Sequence, residues 1–249
     1  MDRMVYTALS GLKGQMSAQA SIANNIANAS TTGFRADRTA FQQLMLKGGA
    51  GLESRQPMSE EVLDADRRAG TIQATGRKLD IAIPGASWMA VQSPDGTEAY
   101  TRRGDLQITE SGVLQTGDGF PVMGSGGPIT VPPAQDVMIG EDGTISILPI
   151  GAAPGTPPQE VDRIRFGNPQ GTQTAKGLDN LLRVKGGGVL PDDLDAKVQI
   201  GALEGSNVNL TQSLVDMIEN QRSYEVQASV LKEAKSMDEA SSSLMRLPS

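Results

Sequence analysis

The two ends of the chain share one spacing of apolar residues, and between them the period falls to two. Near the C-terminus Leu210, Leu214, Met217, Gln221, Tyr224, Ala228 and Leu231 alternate steps of four and three, which predicts a helix with one narrow apolar stripe. The stripe slips once, at Ala234, and resumes through Met237, Ser241 and Leu244; such a slip adjusts supercoil twist without ending the helix. Asn209, with Gln212 three residues on, fits a capping box at its start. At about 1.5 Å per residue, residues 209–247 would make a rod of about 58 Å, too long and too lightly apolar for one wall of a compact core. At the other end Val5, Leu9, Leu12, Met16, Gln19, Ala23 and Ile26 repeat the alternation. Residues 3–36 hold no acidic side chain, whereas 203–249 hold seven acidic against four basic ones. Matched stripes and opposed charge predict that the ends meet as antiparallel or staggered helices, in one chain or between chains. The plainer alternative is two ordinary surface helices on one domain.

Ala27-Asn28-Ala29-Ser30-Thr31-Thr32-Gly33 supplies the polar turn formers and the glycine that stop a helix. Phe41, Leu44 and Met45 suggest a short helix over 35–47. Gly48-Gly49-Ala50-Gly51 marks a flexible joint, and 52–78 reads as an extended arm or small hairpin. From Lys78 to Leu148 short alternating runs, such as Leu79 to Ile83, Trp88 to Gln92 and Thr144 to Leu148, are separated by Asp95-Gly96, Asp118-Gly119 and Asp142-Gly143. That is the hairpin signal. Val161 to Phe166 and Val198 to Leu203 read as later strands. The expected fold is α+β: long N- and C-terminal helices packed as a coiled-coil-like module, with a central all-β domain of antiparallel hairpins. Residues 1–34 and 205–249 form the helical module, 35–77 and 196–204 an arm and linker region, and 78–195 the β domain.

Composition narrows the function. A formal charge of −7 and a pI near 4.7, with no basic block, argue against nucleic acid. The longest uncharged run, Gly14 to Phe34, is too polar to span a membrane, and no apolar leader of the cleavable secretory kind stands at the N-terminus. With no Cys and no His, disulfides, thiolate sites, histidine triads and HExxH zinc sites are excluded. The remaining motifs have plainer readings. Ser10-Gly11-Leu12-Lys13 and Ser229-Val230-Leu231-Lys232 spell S-x-x-K but lack a K-T-G partner. Arg103-Gly104-Asp105 lies where a strand must turn. Asp64 with Asp66, and Asp192, Asp193 and Asp195, lack EF-hand spacing and read as solvated loop charges. Gly124-Ser125-Gly126-Gly127 and Gly186-Gly187-Gly188 match neither nucleotide-binding loop, and the sequons at Asn28 and Asn209 are more simply helix caps. No catalytic, cofactor-binding or metal-ligating residue is expected.

Three stretches carry a resemblance. Ala23-Asn24-Asn25-Ile26-Ala27-Asn28-Ala29-Ser30-Thr31-Thr32-Gly33-Phe34-Arg35 is similar to the N-terminal signature of the flagellar rod and hook axial proteins. Thr75-Gly76-Arg77-Lys78-Leu79-Asp80-Ile81-Ala82-Ile83, followed by Tyr100-Thr101-Arg102-Arg103-Gly104, resembles their middle domain. Leu203-Glu204-Gly205-Ser206-Asn207-Val208-Asn209, with Met217-Ile218 and Gln221-Arg222-Ser223-Tyr224-Glu225, resembles their C-terminal signature. The opening Met1 to Ala8, Trp88 and Gly127 to Pro132 place the resemblance with members that build the proximal rod; distal-rod members are the alternative, and a secreted carbohydrate-active enzyme or adhesin is a remoter one. The resemblance implies a structural, non-enzymatic subunit of the flagellar drive shaft in the basal body. It would be exported by the flagellar type III apparatus and assembled helically with copies of itself and other rod proteins, without inserting in the membrane. The family builds its inner tube from the terminal helices and its outer layer from the β domain. The expected assembly interface is therefore Val5, Leu9, Leu12, Met16, Ala23, Asn24, Asn25, Ile26 and Asn28 with Leu210, Leu214, Met217, Gln221, Tyr224, Ala228 and Leu231.

Overall fold

The computed structural model describes residues 2–43, 58–153 and 155–245, with the side chains of 9–38, 65–153, 155–233, 235–237 and 240. The chain divides into two compact units: Met1–Ala27 with Asp37–Leu63 and Asn209–Ser249, and Asn28–Ala36 with Asp64–Val208.

The first unit holds helix α1 (Asp2–Ala27), the paired strands β1 (Asp37–Gln43) and β2 (Met58–Ala65), and helix α2 (Leu210–Met245). Asn209 caps α2, its Oδ1 accepting from Gln212 N at 3.1 Å. The Gln212 side chain turns instead to Asp216 Oδ1, 2.8 Å away, so the box is half closed.

The predicted coiled-coil-like module is not built. α1 and α2 are the helices among the described residues, the central region is mainly β, and the predicted stripes do not form a seam. The described positions that α1 buries are Gly14, Ala18 and Ser21, on the side away from Met16. Gly11, one turn before Gly14, faces Gln227: a Cβ there would stand 3.1 Å from the Gln227 Oε1. No described residue of α2 is buried. Leu9 and Met16 remain 55% and 60% exposed, and Leu210 and Leu214 48% and 46%. Periodicity reports which face of a helix is apolar; backbone approach is set by where the small residues lie. Here Gly11 faces the neighbouring helix, while Leu9 and Met16 on the predicted stripe stay exposed.

The helix expected over 35–47 is also absent where the chain is described, since β1 begins at Asp37. Asn25 makes the difference: its Oδ1 accepts from Asp37 N at 2.7 Å, and its Nδ2 donates to Asp37 O at 3.1 Å. Holding both backbone groups of Asp37 favours an extended chain over a helical one. The glycine-rich joint at 48–51 and the whole 44–57 stretch around it lie outside the described residues.

The second unit contains β3 (Ile72–Ala74), β4 (Ile81–Ala82), β5 (Trp88–Gln92), β6 (Glu98–Thr101), β7 (Leu106–Ile108), β8 (Leu114–Thr116), β9 (Ala134–Ile139), β10 (Thr144–Pro149), β11 (Gln159–Arg163), β12 (Phe166–Gly167), β13 (Thr174–Lys176), β14 (Leu182–Val184), β15 (Gln199–Ile200) and β16 (Ala202–Glu204). A five-stranded sheet has the order β12-β5-β6-β14-β13, and a three-stranded one the order β11-β10-β9. β7 pairs with β8, β15 with β4 and β16 with β3. Strand β5 is apolar on both faces, so alternate residues enter two cores. Met89 and Val91 join Ile81, Leu106, Leu114 and Val122 on one side. Trp88 and Ala90 join Tyr100, Leu182 and Leu190 on the other. Turn carboxylates tie the hairpins: Asp142 accepts from Thr144 Oγ1 at 2.7 Å and Thr144 N at 3.1 Å, which holds its carboxyl below the usual carboxylate range.

Candidate assembly surfaces and the junction site

The structure divides the expected interface residues. On α1, Leu9, Met16 and Ala23 are exposed, Leu12 and Ile26 half-buried, and the Val5 side chain lies outside the described ones. On α2, Leu210, Leu214 and Gln221 are exposed, while Met217, Tyr224, Ala228 and Leu231 are half-buried. The asparagines work locally. Asn24 Nδ2 donates to Asp37 Oδ2 at 2.6 Å beside the Asn25 pair, and Asn28 O accepts from Thr31 N at 3.1 Å as the chain leaves α1. A second exposed apolar strip on α2, Val215, Ile218, Val226 and Val230, was missed by the sequence reading. Its three-and-four spacing is present in the sequence but interrupted by Arg222, which broke the pattern.

Within the β unit the three signature stretches converge on one carboxylate. Glu204 ends β16 and is 2% exposed. Its Oε1 lies 2.5 Å from Arg35 Nη2 and accepts from Gly70 N at 2.8 Å; its Oε2 accepts from Arg102 Nε at 3.0 Å. Its carbonyl accepts from Gly33 N at 2.7 Å. Arg102, 1% exposed, spends its other donors on the carbonyls of Ser87 and Gly85, and its guanidinium stands 5.9 Å from the Trp88 ring centre. Arg35 is held less completely. Its Nε and Nη1 are buried without a hydrogen-bond partner, and burial pulls its pKa down to about 10 despite Glu204. Lys176 covers the same segment, with Nζ 3.7 Å from the Phe34 ring centre and donating to Arg35 O at 2.7 Å.

Two glycines make this convergence possible. Gly33 sits at φ 68°, and a Cβ there would lie 2.5 Å from the Arg102 carbonyl carbon and oxygen. At Gly104 a Cβ would lie 1.7 Å from Ile81 O. Both positions need a residue without a side chain. The sequence shows these glycines inside the signatures but not what they approach.

The other motifs are absorbed by the fold. Arg103 is ion-paired to Asp105 and to Asp118, each at 2.7 Å, so Arg103-Gly104-Asp105 is a braced turn. Asp66 is buried and pairs with Arg68 at 2.6 Å. Asp192 meets Arg165 at 2.7 Å, and Asp193 accepts from Ser87 Oγ at 2.7 Å. Those two aspartates line a shallow cleft of about 380 Å³ with Ser125, Arg163, Phe166 and Leu194, and its charges are engaged within the fold. Among the described residues no cluster of His, Cys, Asp or Glu is suited to a metal ion, and no helix is long and apolar enough to cross a membrane.

Signatures from both termini and the middle meet on one buried carboxylate in the β unit, and the helices of the other unit keep exposed apolar side chains, features that suit a structural subunit. Comparison with known proteins agrees. Residues 5–35 match the family described as flagella basal body rod protein, 82–147 the flagellar hook protein FlgE/F/G D1 domain, and 199–244 the flagellar basal body rod FlgEFG protein C-terminal family. The chain is 38% identical over 240 residues to the flagellar basal-body rod protein FlgF of Salmonella typhimurium, with 93% of each chain covered. It is 38% identical over 237 residues to that of Escherichia coli, again with 93% of each covered. The flagellar basal-body rod protein FlgG of Bacillus subtilis is 32% identical over 253 residues, covering 93% of this chain and 94% of the relative. The chain belongs to the flagellar basal-body rod protein family. It is a structural subunit of the rod, not an enzyme; it resides in the flagellar basal body and assembles with other rod components.

Proposed function

We propose that the chain is a proximal-rod subunit, exported through the flagellar type III apparatus and assembled helically with its own copies and other rod proteins into the drive shaft. Residues 1–34 and 205–249 form the inner tube, 35–77 and 196–204 the connecting arms, and 78–195 the outer β layer. The higher identity to FlgF of Salmonella typhimurium and Escherichia coli than to FlgG of Bacillus subtilis favours the proximal over the distal position.

One observation carries the reading. The helical unit leaves Leu9, Met16, Leu210, Leu214, Ile218 and Val226 between 46% and 64% exposed. Each half-exposed side chain forgoes roughly 1 kcal/mol of burial, which neighbouring subunits would recover. Helices without tertiary packing are marginal in water, so their stability is coupled to assembly. A contact repeated head to tail without closing a ring grows a helical filament.

Leu214→Asp tests the interface. Leu214 is 46% exposed, so the purified variant should unfold at the wild-type denaturant concentration. In cells lacking the native copy it should be missing from basal bodies, and the cells should not swim. Normal incorporation and motility would remove Leu214 from the interface.

A further inference from the structure

The chain passes between its compact units after Ala27, Ala36, Leu63 and Val208. On the β unit's side, three of these passages are bonded to one another by a single amide. Ala36 N donates to Asn207 Oδ1 at 2.7 Å, while Asn207 Nδ2 donates to Asp66 O at 3.0 Å and to Arg68 O at 2.8 Å. Asp66 N completes the circuit by donating to Ala36 O at 2.7 Å. All the acceptor and donor capacity in use on the Asn207 amide goes to a different stretch of chain.

Three residues earlier, Glu204 repeats the arrangement with charge. Its side chain joins Arg35, Gly70 and Arg102, its backbone holds Gly33, and β16 pairs its position with Ile72. Gly205 N donates to Thr71 O at 2.8 Å. The segments 33–36, 66–72 and 202–207 are thus one body, joined by polar bonds rather than by either apolar core.

We propose that Glu204 and Asn207 are positioning residues for the subunit's mechanical role: they clamp the chain's exits from the β unit so that load arriving on one exit is shared by the others. Three separate peptide segments would each flex under load. Cross-bonded within a few residues of leaving the unit, they move together. The bonds are directional, and those to Glu204 are charge-assisted, so the clamp fixes geometry as well as proximity. An apolar contact of the same area would allow the segments to slide. The inference uses membership of the rod family but not the assignment of helices to the inner tube.

Amide exchange on the purified full-length chain supplies the first test. Asn207→Ala should speed exchange at Gly33, Ala36, Asp66, Gly70 and Gly205 by about tenfold or more, as local opening would. In that variant Ala90, Met123 and Ile129, whose amides are bonded inside the β cores, should keep their wild-type rates. Glu204→Gln also breaks the buried pair with Arg102, so there the clamp amides should speed at least about tenfold more than the core amides. Unchanged rates at the clamp, or a uniform rise through the whole β unit, would overturn the proposal. Should Asn207→Ala fail to fold, Asn207→Asp retains the acceptor for Ala36 but turns a carboxylate oxygen toward the carbonyls of Asp66 and Arg68, so the same amides should speed.

Swimming supplies the second test. In cells lacking the native copy, Asn207→Ala should give normal numbers of flagella but a speed loss at least twofold larger in viscous medium than in buffer. Fewer flagella per cell with normal speed under load would mean that the residue serves stability alone, and the clamp would be rejected.

Discussion

Arg102→Met asks whether the two guanidiniums on Glu204 are equivalent; the structure says that they are not. Arg102 is 1% exposed and donates to Glu204 and to the carbonyls of Ser87 and Gly85, so its removal takes one donor from each of the three. Removing one member of a buried, hydrogen-bonded charge pair costs about 3–5 kcal/mol, because the other partners stay buried. Gly70 N and Arg35 still serve Glu204, so a loss of about 4 kcal/mol is expected rather than more. Arg35 makes one bond to Glu204 and buries two donors unsatisfied. Arg35→Met, similar in length and apolar, should therefore change stability by no more than about 1 kcal/mol in either direction. Trp88 is the sole tryptophan, 5% exposed and beside Arg102, so its fluorescence follows unfolding of this unit directly. With a urea slope of about 2 kcal/mol per molar, Arg102→Met should lower the midpoint by about 2 M, and Arg35→Met by less than about 0.5 M. Equal shifts for the two variants, or a shift below about 0.5 M for Arg102→Met, would refute the asymmetry.

Other expectations follow from the same site. Gly33→Ala forces a side chain onto a left-handed residue and against the Arg102 backbone, so a loss of at least about 2 kcal/mol and a melting temperature lower by about 4–8 °C should appear in a thermal scan. Burial pulls the Arg35 pKa down to about 10, well below the ordinary arginine range, so above that pH the unfolded chain holds its proton more often than the folded one. Its unfavourable contribution, full at neutral pH, is relieved as pH rises through the folded value. Urea midpoints at about pH 9 and about pH 11 should therefore move in favour of wild type over Arg35→Met, and a constant difference would contradict it.

Local pattern determined a good deal of this protein. The strand Leu114–Thr116 follows from alternation and Trp88–Gln92 from a short apolar run, each bounded by turn residues, because side chains on a pleated strand point to opposite faces. The start of α2 follows from Asn209, since a cap is an interaction within four residues. The family was readable because its signatures are contiguous. What the tertiary structure alone decided are relations between residues far apart in the chain. The helical stripes were visible, but α1 buries Gly14 and Ala18 and turns Gly11 to Gln227 of α2, small residues whose lack of bulk gives no signal in an apolar pattern. β1 was misread because its partner β2 lies beyond 44–57 and its anchor, Asn25, in the preceding helix. Arg102 reads as a polar residue ending a strand, yet its buried partner is 102 residues away; Asn207 and Ala36 are 171 apart. Periodicity constrains what a few neighbouring residues can do. A carboxylate shared by three distant segments exists only once the chain has closed on itself, and no window along the sequence contains it.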